Sequence, residues 1–405
     1  MQGMGFIRVL GGVCAPAGFL ASGVSCGIKG EGKLDLALVC SDSAANVAGV
    51  FTTNQVKAAP VLLTCGRLAG GTARAVVVNS GNANCMTGKQ GERDALAMAA
   101  ATEEALGITE GQVLLASTGP IGNYLPMEQI DKGITQAAAE LSPGGNSDAA
   151  KAIMTTDTYP KELALEMEMG GVVVRIGAMA KGSGMIHPHL ATMISIITTD
   201  LPVPPDVLQS CLARACEWSF NRISIDGDES TNDTVLMLAN GAAFPGGHKM
   251  TKEEEDLFFQ ALCWLTGNLA MSLIKDGEGA SRLLRVVVNG ARDETEAIAV
   301  ARAIGNSNLV KCSFYGGMPN WGRVASAAGS AGVALEGGKM DIFLGEHKVA
   351  SQGEPARYDA GALEMILKRD EVEITVELGL GEGSAYFLTS DLTTRYVEIN
   401  AFEKT

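Results

Sequence analysis

The chain has 405 residues, 46% of them hydrophobic and 19% charged, enough apolar material for one large core or two moderate ones and too well balanced for a disordered composition. Its net charge of -15 argues against nucleic-acid and anionic-membrane partners, because the counterion term would oppose binding to either. Nine cysteines, an odd number with no C-x-x-C pair, predict buried thiols of a reducing, cytoplasmic compartment rather than disulfides or a zinc site.

In chain order, the uncharged stretch from Val9 to Ile28 follows Arg8 and superficially suggests a signal peptide or membrane span. Its five glycines and Pro16 make a poor spanning helix. Lys33 to Cys40 and Ala48 to Thr53 predict two strands, and Arg74 to Asn79 a buried one. The last runs into Asn79-Ser-Gly-Asn-Ala-Asn84, a loop able to present backbone N–H groups to an anion or simply to turn. A helix is predicted from about Glu92 to Leu106. Leu114 to Thr118 is an apolar strand entering the tight turn Gly119-Pro120, which either is a plain structural turn, the default for Ser-Thr-Gly alone, or exposes a backbone N–H beside a hydroxyl as an oxyanion hole requires. After a helix near Gln129 to Leu141, Ser142-Pro-Gly-Gly-Asn-Ser147 has the composition of a surface linker. Ile153-Met-Thr-Thr-Asp-Thr-Tyr-Pro160 follows, and Gly171 to Ile176 predicts another strand.

Lys181-Gly-Ser-Gly-Met-Ile-His-Pro188 predicts an irregular loop, and Met193 to Thr199 a buried β-branched strand. Between them stands Ala191-Thr192. A threonine opening a buried strand after a Gly/Pro loop is what a self-cleaving nucleophile needs, because its hydroxyl must reach the preceding carbonyl and its freed α-amine can then act as base. The other reading is a turn into a core strand that happens to begin with Thr. His187 and His189 flank Pro188, but two candidate ligands on one loop are a weak metal signal, and no metal is assigned. Phe220 to Thr234 carries three aspartates without the register of a calcium loop. Thr251-Lys-Glu-Glu254 is a capping box opening a long amphipathic helix to about Ile274, which ends at Gly277-Glu278-Gly279. Arg285-Val-Val-Val-Asn289 echoes Arg74 to Asn79 without establishing a repeat. Glu371 to Leu378, Ala385 to Ser390 and Tyr396 to Asn400 predict three closing strands.

The phrases Gly49 to Pro60, Ser117-Thr118-Gly119, Ile153 to Pro160, Ala191-Thr192-Met193, Gly277 to Gly279, Asn306 to Val310 and Pro319 to Arg323 together resemble the ornithine acetyltransferase family, also called glutamate N-acetyltransferases. The resemblance spans almost the whole chain. It implies an α/β fold, a layered αββα sandwich of mixed sheets covered by helices. It also implies self-cleavage before Thr192 into an α chain, 1–191, and a β chain, 192–405, with two of each in a heterotetramer. Thr192 would take the acetyl group of N-acetylornithine as an ester and pass it to glutamate, with Thr118 and Gly119 as oxyanion hole. Thr155, Lys181, Thr192, Glu278, Asn400 and Thr405 would bind substrate, the last two folding the C-terminal tail into the site. Ser224 and Glu229 depart from the family pattern. No cofactor is implied; whether acetyl-CoA is also a donor, making the enzyme bifunctional, stays open. A self-processing amidohydrolase or aminopeptidase, in which water replaces glutamate, is the alternative.

Overall fold

The computed structural model describes residues 5–187 and 193–402. The expected cleavage bond Ala191-Thr192, His189 and Thr405 lie outside them. Two compact units form, a larger one from residues 1–221 and 228–273 and a smaller one from 222–227 and 274–404.

In chain order the elements are β1 (Phe6–Val9), β2 (Phe19–Val24), β3 (Leu36–Phe51), α1 (Ala59–Arg67), β4 (Thr72–Ser80), α2 (Gly88–Leu106), β5 (Val113–Thr118), α3 (Met127–Ala139) and α4 (Asn146–Ala152). They continue with β6 (Lys161–Met169), β7 (Val172–Lys181), β8 (Ile194–Thr199), α5 (Pro205–Glu217), β9 (Ile223–Ser224), β10 (Thr234–Ala239) and α6 (Lys252–Lys275). The remainder are β11 (Leu283–Ala291), α7 (Glu294–Gly305), α8 (Asn308–Tyr315), α9 (Trp321–Gly329), β12 (Asp341–Leu344), β13 (His347–Ser351), β14 (Glu354–Pro355), α10 (Ala360–Leu367), β15 (Glu371–Glu377), β16 (Gly383–Ser390) and α11 (Thr394–Phe402).

In the larger unit a mixed sheet runs β1-β6-β7-β8-β10-β3-β4-β5, with β2 also paired to β3. The two strands expected at Lys33–Cys40 and Ala48–Thr53 are one, β3, whose pairing to β4 shifts register between Cys40 and Ala45. Its first half pairs with β2 and β4, its second with β10. A strand that changes partners at an irregularity lets the sheet fold back on itself. One buried cluster accordingly joins Val76, Val78, Leu114 and Ala116 from β4 and β5 to Ile194, Ile196, Leu236 and Leu238 from β8 and β10. On the outer face of β4 and β5, Ala75, Val77, Val113 and Leu115 pack with Met98 of α2 and Ile130 and Ile134 of α3. Helix–sheet–sheet layering thus arises within this unit, as alternate side chains of β4 and β5 serve two cores.

The smaller unit carries a second mixed sheet, β14-β13-β12-β15-β11-β16-β9, cored by Val286, Val288, Ile374, Val376 and Phe387 with Val300 and Ile304 of α7. Here Tyr396–Asn400 is helical, not the strand its β-branched alternation suggests. Thr393 Oγ1 accepts from the amides of Arg395 and Tyr396 and so caps α11, supplying partners that alternation cannot encode.

Other expectations shift as well. Residues 9–28 hold part of β1, a short 3₁₀ turn and β2. The linker-like Ser142–Ser147 is pinned to β2 by reciprocal backbone bonds between Ser142 and Ala21, and Gly145 is buried where a Cβ would stand 1.8 Å from the Ala21 carbonyl oxygen. Strand β6 adds to the expected elements, although Leu163, Leu165, Met167 and Met169 alternate with Glu162, Ala164, Glu166 and Glu168 at the period of a strand. The capping box forms, with Glu254 N donating to Thr251 Oγ1 and Thr251 N to Glu254 Oε2. Helix α6 passes length and composition tests for membrane crossing, with half of the tested window buried. All nine thiols are free, but Cys65 and Cys312 are exposed rather than buried.

Candidate functional site

Strand ends bring the sequence-predicted residues of the larger unit together. Lys181 ends β7 and pairs with Ile194 at the start of β8, which pairs in turn with Thr234 at the start of β10. Met193 and Asp233, just ahead of those starts, are therefore neighbours, and the Met193 amide donates to Asp233 Oδ1 over 2.9 Å. Thr118 ends β5.

Lys181 is 2% exposed, and its ammonium gathers the two predicted threonines. Nζ donates to Thr155 Oγ1 at 2.8 Å and to Thr118 Oγ1 at 3.3 Å. A hydroxyl that accepts from a lysine keeps its own proton to donate. Beside it, Gly119 adopts φ +135°, and a Cβ there would come within 2.4 Å of Asn82 N. Only glycine fits this approach of two backbones. Among the described residues the Gly119 amide takes no hydrogen-bond partner. Thr118 O–H and Gly119 N–H are thus two adjacent donors on a rigid strand end, the form of an oxyanion hole.

The neighbouring Asn79–Asn84 loop serves as a support rather than an anion nest. Asn82 N and Ala83 N donate to the Thr118 and Pro120 carbonyls, and Asn84 N to Asn82 Oδ1. Asn232 Nδ2 ties the same loop to β5, donating to Ala83 O and Ser117 O.

Several participants carried no usable sequence signal. Asp157 Oδ1 accepts from Lys161 Nζ and from Gly182 N, both at 2.7 Å, and Oδ2 accepts from Thr155 N. Lys181 Nζ lies 3.9 Å from Oδ2. Burial alone would raise this carboxyl, but Lys181, Lys161 and the Gly182 amide hold it below the ordinary carboxylate range. Asp233 is fully buried, which pushes its carboxyl well above that range against the opposing pull of the Met193 amide and Lys181. Its Oδ2 has no partner among the described residues.

Glu229 Oε1 accepts from Thr53 Oγ1 and its backbone carbonyl from Asn54 Nδ2, so this residue clasps the Thr53-Asn54 segment. Ser224 pairs with Thr389 of β16. Among the described residues no group of three His, Cys, Asp or Glu side chains could hold a metal.

In the smaller unit, two predicted residues meet. Asn400 Nδ2 donates to Glu278 Oε2 at 2.7 Å and to Tyr396 O at 3.1 Å. Gly279, at φ +66°, lets the turn approach α11 so closely that a Cβ would stand 2.5 Å from Tyr396 N. Thr393 Oγ1 donates to Gly279 O. The carboxylate and the amide thus sit on one clasped turn and helix, although Asn400 is exposed.

Residues 20–405 match the model of the ArgJ family. The arginine biosynthesis bifunctional protein ArgJ of Symbiobacterium thermophilum is 49% identical over 397 residues, covering 98% of this chain and 99% of that one. Its counterpart in Thermosynechococcus vestitus is 45% identical over 415 residues, covering 97% and 98%. Among solved structures, the ornithine acetyltransferase of Mycobacterium tuberculosis, complexed with ornithine, is 45% identical and covers 45% of this chain and 98% of that one, with a TM-score of 0.42.

Proposed function

The chain belongs to the ArgJ family and is an acyltransferase of arginine biosynthesis, and from that premise we propose how its residues carry the acetyl group. Thr192 is the nucleophile. Its hydroxyl first attacks the Ala191 carbonyl and displaces the Thr192 amide nitrogen, and water then hydrolyses the resulting ester, leaving an α chain, 1–191, with a free carboxylate and a β chain, 192–405, whose hydroxyl is restored and whose freed α-amine becomes the base. The hydroxyl then attacks the acetyl carbonyl of N-acetylornithine. The oxyanion accepts from Thr118 O–H and Gly119 N–H, collapse expels ornithine, and Thr192 keeps the acetyl group as an ester. Glutamate enters, its amine attacks the ester through the same oxyanion geometry, and N-acetylglutamate leaves.

The observation that carries this reading is the convergence of Thr118 and Thr155 on the buried Lys181, on the strand that pairs with the start of β8. Lys181 and Thr155 receive a substrate carboxylate, and Glu278 with Asn400 an ammonium; Thr405 completes the set. Donor and acceptor are both amino acids, so one set of groups serves each in turn. Acetyl-CoA would serve as a second donor at the same threonine, without a bound cofactor. Free thiols throughout support a cytoplasmic enzyme, and we assign it two α and two β chains.

N-terminal sequencing of purified protein tests the reading. Two fragments are expected, the second beginning Thr-Met-Ile-Ser, and Thr192→Ala should remain one chain; fully active protein without a Thr192 terminus would overturn it.

A further inference from the structure

Lys29 lies against the oxyanion turn without any role in the reading above. It sits in the connection from β2 to β3, a loop wound around the buried Asp35 carboxylate, which accepts from the amides of Cys26, Gly27 and Lys29. Three backbone donors on one carboxylate fix where the lysine starts. Its stem lies on Gly81, where a Cβ would come within 2.6 Å of Lys29 Cγ. Gly81 is itself stacked on Gly119, whose missing Cβ would stand 2.5 Å from the Gly81 carbonyl carbon. Nζ ends 2.8 Å from the Met154 carbonyl oxygen, one residue before Thr155. An ammonium has three donors, and among the described residues this is the one hydrogen bond that Nζ makes.

Cations nearby are otherwise engaged. Lys161 is locked to Asp157, and Lys181 holds the two threonines. Burial lowers Lys29 to about 8; Asp35 and Asp157 oppose the shift, while Lys181 and Lys33 add to it. Lys29 Nζ binds the Met154 carbonyl and Lys181 Nζ the hydroxyl of the next residue, Thr155, so the two ammonium groups are held by adjacent residues, and two neighbouring cations are stabilised by an anion between them.

Resting on the acetyl-transfer reading, we propose that Lys29 is a second cationic recognition residue of this site, receiving the side-chain carboxylate that the acceptor glutamate has and the donor N-acetylornithine lacks. The donor brings one carboxylate and one ammonium, the acceptor two carboxylates. A lone lysine would treat the two alike at that end. A second one, its stem packed on the Gly81 that abuts Gly119, separates them.

The test compares glutamate with glutamine as acceptor, N-acetylornithine being the donor, in wild type, Lys29→Met and Lys29→Arg. A charge-assisted hydrogen bond of about 1.5–3 kcal/mol corresponds to roughly a tenfold or greater effect. In Lys29→Met the KM for glutamate should rise about tenfold more than the KM for N-acetylornithine, and the preference for glutamate over glutamine should collapse; Lys29→Arg should restore it. In unmodified protein, the KM for glutamate should climb as pH passes about 8, while that for glutamine does not. An unchanged glutamate preference in Lys29→Met, or the same pH dependence for both acceptors in wild type, would overturn the proposal. Wild type without any acetyl transfer would overturn both this and the reading beneath it, whereas normal transfer with unchanged discrimination would overturn this alone.

Discussion

At the residue scale, two side chains that touch should fail in different ways. In the proposed mechanism Thr118 acts where charge develops, so Thr118→Ala should lower kcat by about 10²-fold with little change in KM. The same mechanism gives Lys181 the substrate end, so Lys181→Ala should act mainly on KM; steady-state kinetics showing the reverse would exchange the two roles. Asp157 is the third test. It is buried with Lys161, both side chains at most 1% exposed, and Asp157→Asn would strand that cation, costing about 3–5 kcal/mol in a denaturant melt. The sign of its pH dependence follows from its lowered value. Its stabilising contribution is present above the ordinary carboxylate value near 4 and is lost as pH falls through the lower folded value, so wild type should lose stability in acid faster than Asp157→Asn. Thr118, Thr155 and Lys181 were legible through the family resemblance of the phrases that hold them, since a threonine or lysine beside a turn is by itself a weak signal. Asp157 and Asp233 were not, since a carboxylate's role depends on partners 24 to 40 positions away, such as the Lys181 ammonium and the Met193 amide.

At the element scale, the turn after β5, to which the proposed mechanism gives the oxyanion donors, cannot tolerate a side chain at Gly119. Gly119→Ala meets both the left-handed φ of +135° and a 2.4 Å approach to Asn82 N. It should cost about 1–3 kcal/mol in stability, and a larger share of activity than of fold, as the displaced amide leaves the oxyanion; a variant with wild-type kcat would show that the amide is not used. Apolar runs such as Val76 to Val78 and Ile194 to Ile197 announced their strands, because strands buried on both faces read as continuous hydrophobic stretches. Three features escaped that logic. The continuity of β3 depends on its partners, β6 alternates Leu and Met with glutamates in place of a continuous apolar run, and α11 is set by a threonine cap over a β-branched sequence.

At the scale of the whole molecule, the sheet that folds back at β3 delivers the ends of β5, β7, β8 and β10 to chemistry while leaving their middles to the core. In the proposed mechanism one nucleophile serves both substrates, so donor and acceptor visit in turn. Initial rates against N-acetylornithine at several glutamate concentrations should give parallel double-reciprocal lines, with ornithine competing against glutamate. The most direct measurement is mass spectrometry of the protein incubated with N-acetylornithine while glutamate is withheld. The peptide beginning at Thr192 should carry one acetyl group, which glutamate then removes as N-acetylglutamate; an unmodified Thr192 peptide in a preparation that turns over normally would contradict the covalent route.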